Sequence, residues 1–357
     1  MNFKRVFLGA AMVAALGVWG CDSGSTTAST TGTTGTTPTA GETKGGAKPK
    51  KSEYKIVMIA KSSSNPVFAA AKTGAEAAAK ELGDKNGVKI TIDWQTPNTE
   101  DAQQQAQRIS QAANEGADAI LVSCSDAAKL TQAINEASDK GVPVMTFDSD
   151  AADSKRFAFY GADDAAAGTQ VMSELAKALG DKGNVAILSG NQNAPNLQKR
   201  VQGAQDEAKK HPGIKIVGVF NGVETPEDMA SEVTKDMNAH PEITGWAMIG
   251  GWPLFTKSLL TLDPNKVKIV AVDALPAELP YVEKGIAPLL LAQPVYDWGY
   301  KSVGIIVDKV ILGKDVAKIT KMDLVPVSKD SLGTWAGTLQ KWGFKDVDPK
   351  YLAPAKK

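Results

Sequence analysis

Asn65, Asp148, Asp273 and Gln293 each stand at or just past the carboxyl end of a short apolar run: KIVMIA, VMTF, KIVAV and LLLA in turn. A carboxylate can accept hydrogen bonds from two adjacent hydroxyls at once, and side-chain amides offer both donors and acceptors. Phe68, Phe147 and Trp252 lie nearby in sequence and would supply flat apolar walls, the usual complement of a sugar ring face. A single strand-end Asp is commonly no more than a turn or a helix cap. Four polar residues at equivalent places, with aromatics interleaved, point instead to a site for a polyhydroxylated small molecule.

Other chemistries fit less well. Asp148 with Asp273 could form the carboxylate pair of a glycosidase, but hydroxyl binding explains the two acids equally well and nothing marks either as a proton donor. The two histidines, His211 and His240, both occur in His-Pro pairs after helical segments, away from the strand ends. That argues against a histidine acid/base or triad. Cys124 is the sole cysteine besides Cys21, and a small, partly buried thiol is the favoured reading over a nucleophile. No Gly-x-Gly-x-x-Gly or Walker loop and no zinc-ligand cluster occurs, so neither cofactor nor metal is expected.

The element that positions Asn65 is Tyr54–Gly83. YKIVMIA reads as a buried strand, SSSNP as a polar loop, and the following stretch as a helix with Phe68, Ala71, Ala75, Ala78 and Leu82 on one face. Asn65 suits the N-cap, Pro66 the first turn, and Gly83 the far end. In an open parallel sheet, the crevice beyond the strands' carboxyl ends is where ligands sit.

The chain has 357 residues, enough for two domains, with 40 basic and 40 acidic residues and 43% hydrophobic content. That balance argues against a nucleic-acid binder and against a disordered chain. MNFKRVFLGAAMVAALGVWGC reads as an export signal: a basic start, then an apolar core too short for a stop-transfer helix. Its end, Val18-Trp19-Gly20-Cys21, resembles a bacterial lipobox despite the unusual Trp19, so Cys21 is expected to be lipidated and to anchor the protein to a membrane. Ordinary signal cleavage nearby is the alternative. Residues 22–53 are rich in Thr, Gly, Ser, Ala and Lys without apolar periodicity, and read as a flexible tether.

From Tyr54 onward strands and helices alternate in two successive sets. We expect helices from Asn98 to Gly116, capped by Asn98 or Thr99, from Asp163 to Gly180, from Asn196 to His211, and from Thr225, where Thr-Pro-Glu-Asp gives the clearest start signal. A last helix spans Tyr296 to Gly313, and the tail to Lys357 lacks clear periodicity. The pattern predicts two doubly wound α/β lobes with parallel sheets.

At this level the chain from Tyr54 to about Val327 resembles the periplasmic sugar-binding proteins of the ribose-binding type, soluble receptors of ABC importers. The matching stretches are SSNPVF (Ser63–Phe68), GVPVMTFDSD (Gly141–Asp150), YGADDAAAG (Tyr160–Gly168), QKRVQGAQ (Gln198–Gln205), HPEITGWAM (His240–Met248), IVAVDALP (Ile269–Pro276) and LLAQPVYDWGY (Leu290–Tyr300). The resemblance implies that Asn65, Phe68, Asp148, Asp273 and Gln293 touch the sugar. It places Ser149 where the family often has arginine, puts Gln198 at another arginine position with Arg200 in the Arg-x-x-Gly motif, and brings Trp252 beside a position where asparagine is expected. Val67 replaces a second aromatic. The fold therefore carries over, while ribose as the ligand does not.

The resemblance also implies three crossings between lobes, near Ala162, Gln293 and Asp323, with a hinge there. The lobes would comprise residues 54–162 with 294–323, and 163–293 with 324–357. Regulators of this fold carry an N-terminal DNA-binding helix-turn-helix, and here a signal and tether stand in that place. The expected protein is a monomeric, exported, lipid-anchored receptor with no nucleic-acid partner, handing a small ligand to an ABC permease. The alternative is a receptor of the same fold that acts on a membrane sensor without transport.

Overall fold

The computed structural model describes residues 51–352. The signal, Cys21 and the tether as far as residue 50 lie outside the described residues. The tether ends slightly earlier than expected: Lys51 pairs with Asp118 at 2.5 Å, and Glu53 already belongs to the first strand, in register with Lys89.

The first sheet is built from β1 (Glu53–Ile59), β2 (Lys89–Trp94), β3 (Ala119–Val122), β4 (Val144–Phe147) and β5 (Ala158–Ala162). Helices α1 (Pro66–Asn86), α2 (Ala102–Asn114) and α3 (Ala127–Asp139) alternate with the first four of these strands. The chain then leaves for a second sheet. It contains β6 (Gly183–Ser189), β7 (Ile214–Asn221), β8 (Gly245–Met248), β9 (Lys268–Val272) and β10 (Leu289–Ala292), with α4 (Asp164–Ala178), α5 (Pro195–Ala208), α6 (Pro226–Ala239) and the short α7 (Leu279–Lys284). Helix α8 (Val295–Ile306) returns to pack on α1, and β11 (Ile319–Met322) completes the first sheet. Strand β12 (Val325–Val327) and α9 (Leu332–Lys341) complete the second lobe.

The strand orders are β11-β5-β4-β3-β1-β2 and β12-β10-β9-β8-β6-β7, parallel throughout except for β12 against β10. Each order reverses direction at one strand, β1 in the first lobe and β6 in the second. The crevices beyond β1 and β6 are thus the topological switch points where doubly wound sheets take ligands. The chain passes between sheets three times, after Ala162, after Ala292 and after Met322.

Strand β1 shows why its sequence is continuously apolar. Ile56 and Met58 enter one core, Val57 and Ile59 the core on the opposite face, and all four are essentially inaccessible. A strand covered on both faces has no polar side to write.

Three expectations need correction. Helix α1 runs past Gly83, which is buried within it, to Asn86 and closes at Gly87 in the left-handed conformation. Helix α2 starts at Ala102 with Asp101 as its cap, the carboxylate accepting from Gln104 N at 3.0 Å, and not at Asn98 or Thr99. The carbonyls of Pro97 and Asn98 accept instead from Ser63 N and Ser64 N, at 2.8 and 3.2 Å, so this segment buttresses the first strand-end loop. The tail is also not featureless. In α9, Leu332, Trp335, Ala336 and Leu339 bury a helical stripe, and Trp335 Nε1 donates to Ala274 O at 2.7 Å.

The two closest helix pairs, α1 with α8 and α4 with α5, each meet through glycine. A methyl group at Gly299 would strike the Ala71 carbonyl, and one at Gly168 would strike the backbone of Arg200. Gly168→Ala and Gly299→Ala should each destabilise the protein by about 1–3 kcal/mol in urea unfolding, the usual cost of overpacking. Gly337→Ala, on α9 facing open space, should instead stabilise it by about 0.5–1 kcal/mol through helix propensity.

Candidate functional site

The strand-end loops of both sheets converge between the lobes. Asp148 follows β4 and Asp273 follows β9, and both adopt left-handed backbone, with φ of 56° and 84°. Such a conformation is uncommon outside glycine, and Asp and Asn are among the residues that tolerate it best. In each lobe the chain thus turns sharply at its strand-end acid, at a cost of roughly 1–3 kcal/mol that surrounding contacts must offset.

The contacts are specific. Asp148 accepts from Ser123 Oγ at 2.7 Å within its own lobe and from Asn196 Nδ2 of the other lobe at 3.0 Å. Asp273 accepts from Gln293 Nε2 at 2.8 Å and from Gly251 N at 3.2 Å. Arg200 donates to Asp164 Oδ1 at 2.8 Å, to the Ile249 carbonyl at 3.2 Å and to Gln293 Oε1 at 2.8 Å, and so is linked to Asp273 through Gln293. Burial opposes the Arg200 charge, but the carboxylates of Asp164, Asp148 and Asp273 overcome it and hold the guanidinium above its usual range. Burial also pushes Asp164 and Asp273 up, with Gln293 and Arg200 opposing the shift at Asp273.

A second cluster spans the lobes beside the first. Lys61, just past β1, contacts Glu224 of the second lobe at 3.4 Å and Glu100 at 3.9 Å. Asn191, just past β6, donates its backbone N–H to Glu224 Oε1 at 3.1 Å and its side chain to Glu100 Oε1 at 2.9 Å and Ser125 O at 3.1 Å.

The structure thus joins Arg200, Gln293 and Asp273 in one hydrogen-bonded chain, while Asp148, bonded to Ser123 and Asn196, acts on Arg200 through its charge. Asn65 is buried at the same end of β1 and caps α1, accepting from Val67 N at 3.2 Å. Phe68 sits in the first lobe's core, stacked on Trp298 at 5.9 Å and edge-on to Phe147 at 6.3 Å. Trp252 packs in the second lobe's core, its ring where a side chain on Gly250 would fall. Ser149 is buried, its amide closing a tight turn onto Phe147 O at 2.6 Å and its hydroxyl without a partner among the described residues. Gln198 is not brought in: it is exposed on α5 and donates to Gln192 O at 2.7 Å. A helix cannot place Gln198 and Arg200 on one side, because positions two apart are rotated by about 200° around its axis.

Cys124 is inaccessible and its thiol is pushed up by burial, which keeps it protonated. His211 pairs with Asp181 and Glu207, and His240 with Glu242, at helix ends outside the cluster. Among the described residues no group of His, Cys, Asp and Glu could hold a metal ion.

The sequence reading missed Lys61, Glu100, Asn191, Asn196 and Glu224. Asn191 and Lys61 carried a usable signal, since each directly follows the strand at which its sheet reverses order. Glu224 was hidden because Thr225-Pro226-Glu227-Asp228 next to it reads so clearly as a helix start.

A model of the periplasmic binding protein domain matches residues 56–315. The chain belongs to this family. This periplasmic binding protein is similar to a D-ribose/D-allose-binding protein of Pseudomonas aeruginosa, 26% identical over 247 residues that make up 65% of this chain and 74% of that one. Among solved structures it is similar to an ABC transporter solute-binding protein of Burkholderia graminis in complex with D-arabinose. That match is 26% identical with a TM-score of 0.73, covering 79% of this chain and 98% of the other. A glucose-galactose binding protein of Geobacillus stearothermophilus matches at 28% identity and a TM-score of 0.71, over 79% and 99% of the two chains. These relatives are binding proteins, and the two-lobed α/β architecture is common to them.

Glu278 lies next to this site and is fully buried. Its carboxyl accepts from Leu275 N, while Oε1 has no partner among the described residues. Burial and the nearby Asp273 charge raise it well above the usual 4.5. An acid raised on folding makes its full contribution below its unfolded pKa, and stability is lost as pH climbs toward the folded value. Glu278→Gln should therefore raise the melting temperature of this periplasmic binding protein at about pH 8 and leave it unchanged at about pH 4, where the parent carboxyl is already protonated. Equal melting at both pH values would show that Glu278 is ionised in the fold.

Proposed function

We propose that this periplasmic binding protein is the solute-binding component of an ABC importer, and that it holds a monosaccharide or similar polyhydroxylated molecule between its lobes. It is exported through the N-terminal signal, anchored through lipid on Cys21, works as a monomer, and delivers its ligand to a membrane permease. The observation that carries the reading is the pair of strand-end carboxylates, Asp148 and Asp273. Each is set on a left-handed turn, and the hydrogen bond from Asn196 to Asp148 joins the lobes. Acids on a bridged cleft suit a ligand that presents adjacent hydroxyls to both lobes. The three chain crossings act as the hinge on which the lobes close. The similarity to proteins named for ribose, allose, glucose and galactose, and to one solved in complex with D-arabinose, supports the ligand class.

Calorimetry against D-ribose, D-allose, D-arabinose, D-galactose and D-glucose tests this directly. Asparagine is the informative substitution, because it tolerates positive φ and separates lost charge from backbone strain. Hydrogen bonds to a charged group contribute about 1.5–3 kcal/mol, so Asp148→Asn and Asp273→Asn should each weaken the bound sugar at least about tenfold. Variants that bind as tightly as the parent but melt several degrees lower would make both residues structural turns.

The anchor has its own test. The full-length protein should fractionate with membranes, and Cys21→Ser should release it. Equal solubility of the two forms would remove the lipid anchor from the proposal.

A further inference from the structure

The last α-helix reaches from one lobe to the other. Through Leu332, Trp335, Ala336 and Leu339, α9 belongs to the core of the second lobe. Trp342, at its end, stacks on Tyr296 of α8 in the first lobe, with centroids 5.8 Å apart and planes 4° from parallel. Tyr296 stacks in turn on Tyr300 at 5.8 Å, and the Tyr300 hydroxyl donates to Glu81 of α1 at 2.6 Å. Phe344, just beyond Trp342, packs against the cores of both lobes. In the other direction Trp335 meets Trp342 edge-on at 5.4 Å and donates to the carbonyl of Ala274, the residue after Asp273. A row of rings thus runs from the turn of a strand-end acid in one lobe to the outer helices of the other.

The row stands at the chain crossings. Trp335 and Trp342 border one hollow with Pro294, just past the second crossing, and Val325, just past the third. Stacking depends on the separation and orientation of the rings. Rotating one lobe against the other about these crossings swings Trp342 relative to Tyr296, so the near-parallel stack belongs to the arrangement seen here. In that same arrangement Asn196 bonds Asp148 and Lys61 meets Glu224 across the lobes. The family match ends at residue 315, so α9 and Trp342 lie beyond it.

We propose that α9 is an interlobe clasp, and that Trp342 is a positioning residue that holds the lobes in their bridged arrangement and so tightens ligand binding. The proposal rests on the reading that the ligand sits between the lobes. A contact made only in the bridged arrangement favours it whether or not ligand is present. A ligand that needs that arrangement binds more tightly the more of it is already populated. Trp342 therefore acts on affinity through the lobes, by way of Tyr296, without touching the ligand.

The test uses the full chain with Cys21→Ser, which leaves the inaccessible Cys124 as the only native thiol. Spin labels go on Asp153→Cys and Asn193→Cys, exposed positions that border one hollow from opposite lobes. Without ligand, Trp342→Ala and Tyr296→Ala should each widen the spacing between the labels. With whichever of D-ribose, D-allose, D-arabinose, D-galactose and D-glucose binds the parent, each should weaken binding about three- to tenfold, the range of one lost aromatic pair. The double variant should lose no more than either alone, because both remove the same contact. Trp342→Phe, which keeps a ring on Tyr296, should recover most of the loss. Should Trp342→Ala not fold, Tyr296→Ala gives the same two readouts from the other lobe. Unchanged label spacing and binding within about twofold of the parent in a folded variant, even one that melts lower, overturns the clasp and leaves the sugar reading intact. If none of the five sugars binds the parent, the sugar reading fails, and the label spacing alone decides the clasp.

Discussion

A guanidinium shut away from water is tolerable only when its charge is matched and its N–H groups are used. Arg200 meets both conditions by drawing on three parts of the second lobe: Asp164 at the start of α4, the Ile249 carbonyl past β8, and Gln293 at the crossover after β10. Gln293 in turn fixes Asp273. One side chain thus sets the geometry of a strand-end acid, a helix start and a crossover between the sheets together. Breaking a buried pair by removing one partner leaves the other charge uncompensated, which is far more costly than losing an exposed pair. The close helix approach at Gly168 belongs to the same constraint, because the backbone of Arg200 occupies the space a side chain there would need.

The first lobe solves the corresponding problem with neutral partners. Ser123 and Asn196 supply donors to Asp148, and the residue after it is Ser149, without charge. Lys61, on a different loop of that lobe, lies close enough for Asp148 to act on its charge. Positive charge in the cleft is therefore distributed between Arg200 on one lobe and Lys61 on the other, each among acids.

Much of this protein was legible in the chain itself. Buried strands such as β1 and β9 must be apolar on both faces, so alternation of apolar runs with amphipathic stretches determined two doubly wound lobes, and strand ends marked Asn65, Asp148, Asp273 and Gln293. Local chemistry fixed several boundaries too, as at Thr225-Pro226 and Asn65-Pro66, because caps act through neighbouring backbone. What only the tertiary structure decided depended on contacts distant in sequence. Asn98 gave up the capping role because the first loop claimed its carbonyl, and only the folded chain sets Phe68 against Trp298 and Trp252 against Gly250. Arg200 and Gln198, two residues apart, parted company because a helix turns them to different sides. Lys61 meets Glu224 from 163 positions away, and no local pattern encodes a pairing that exists only once both lobes are folded and facing each other.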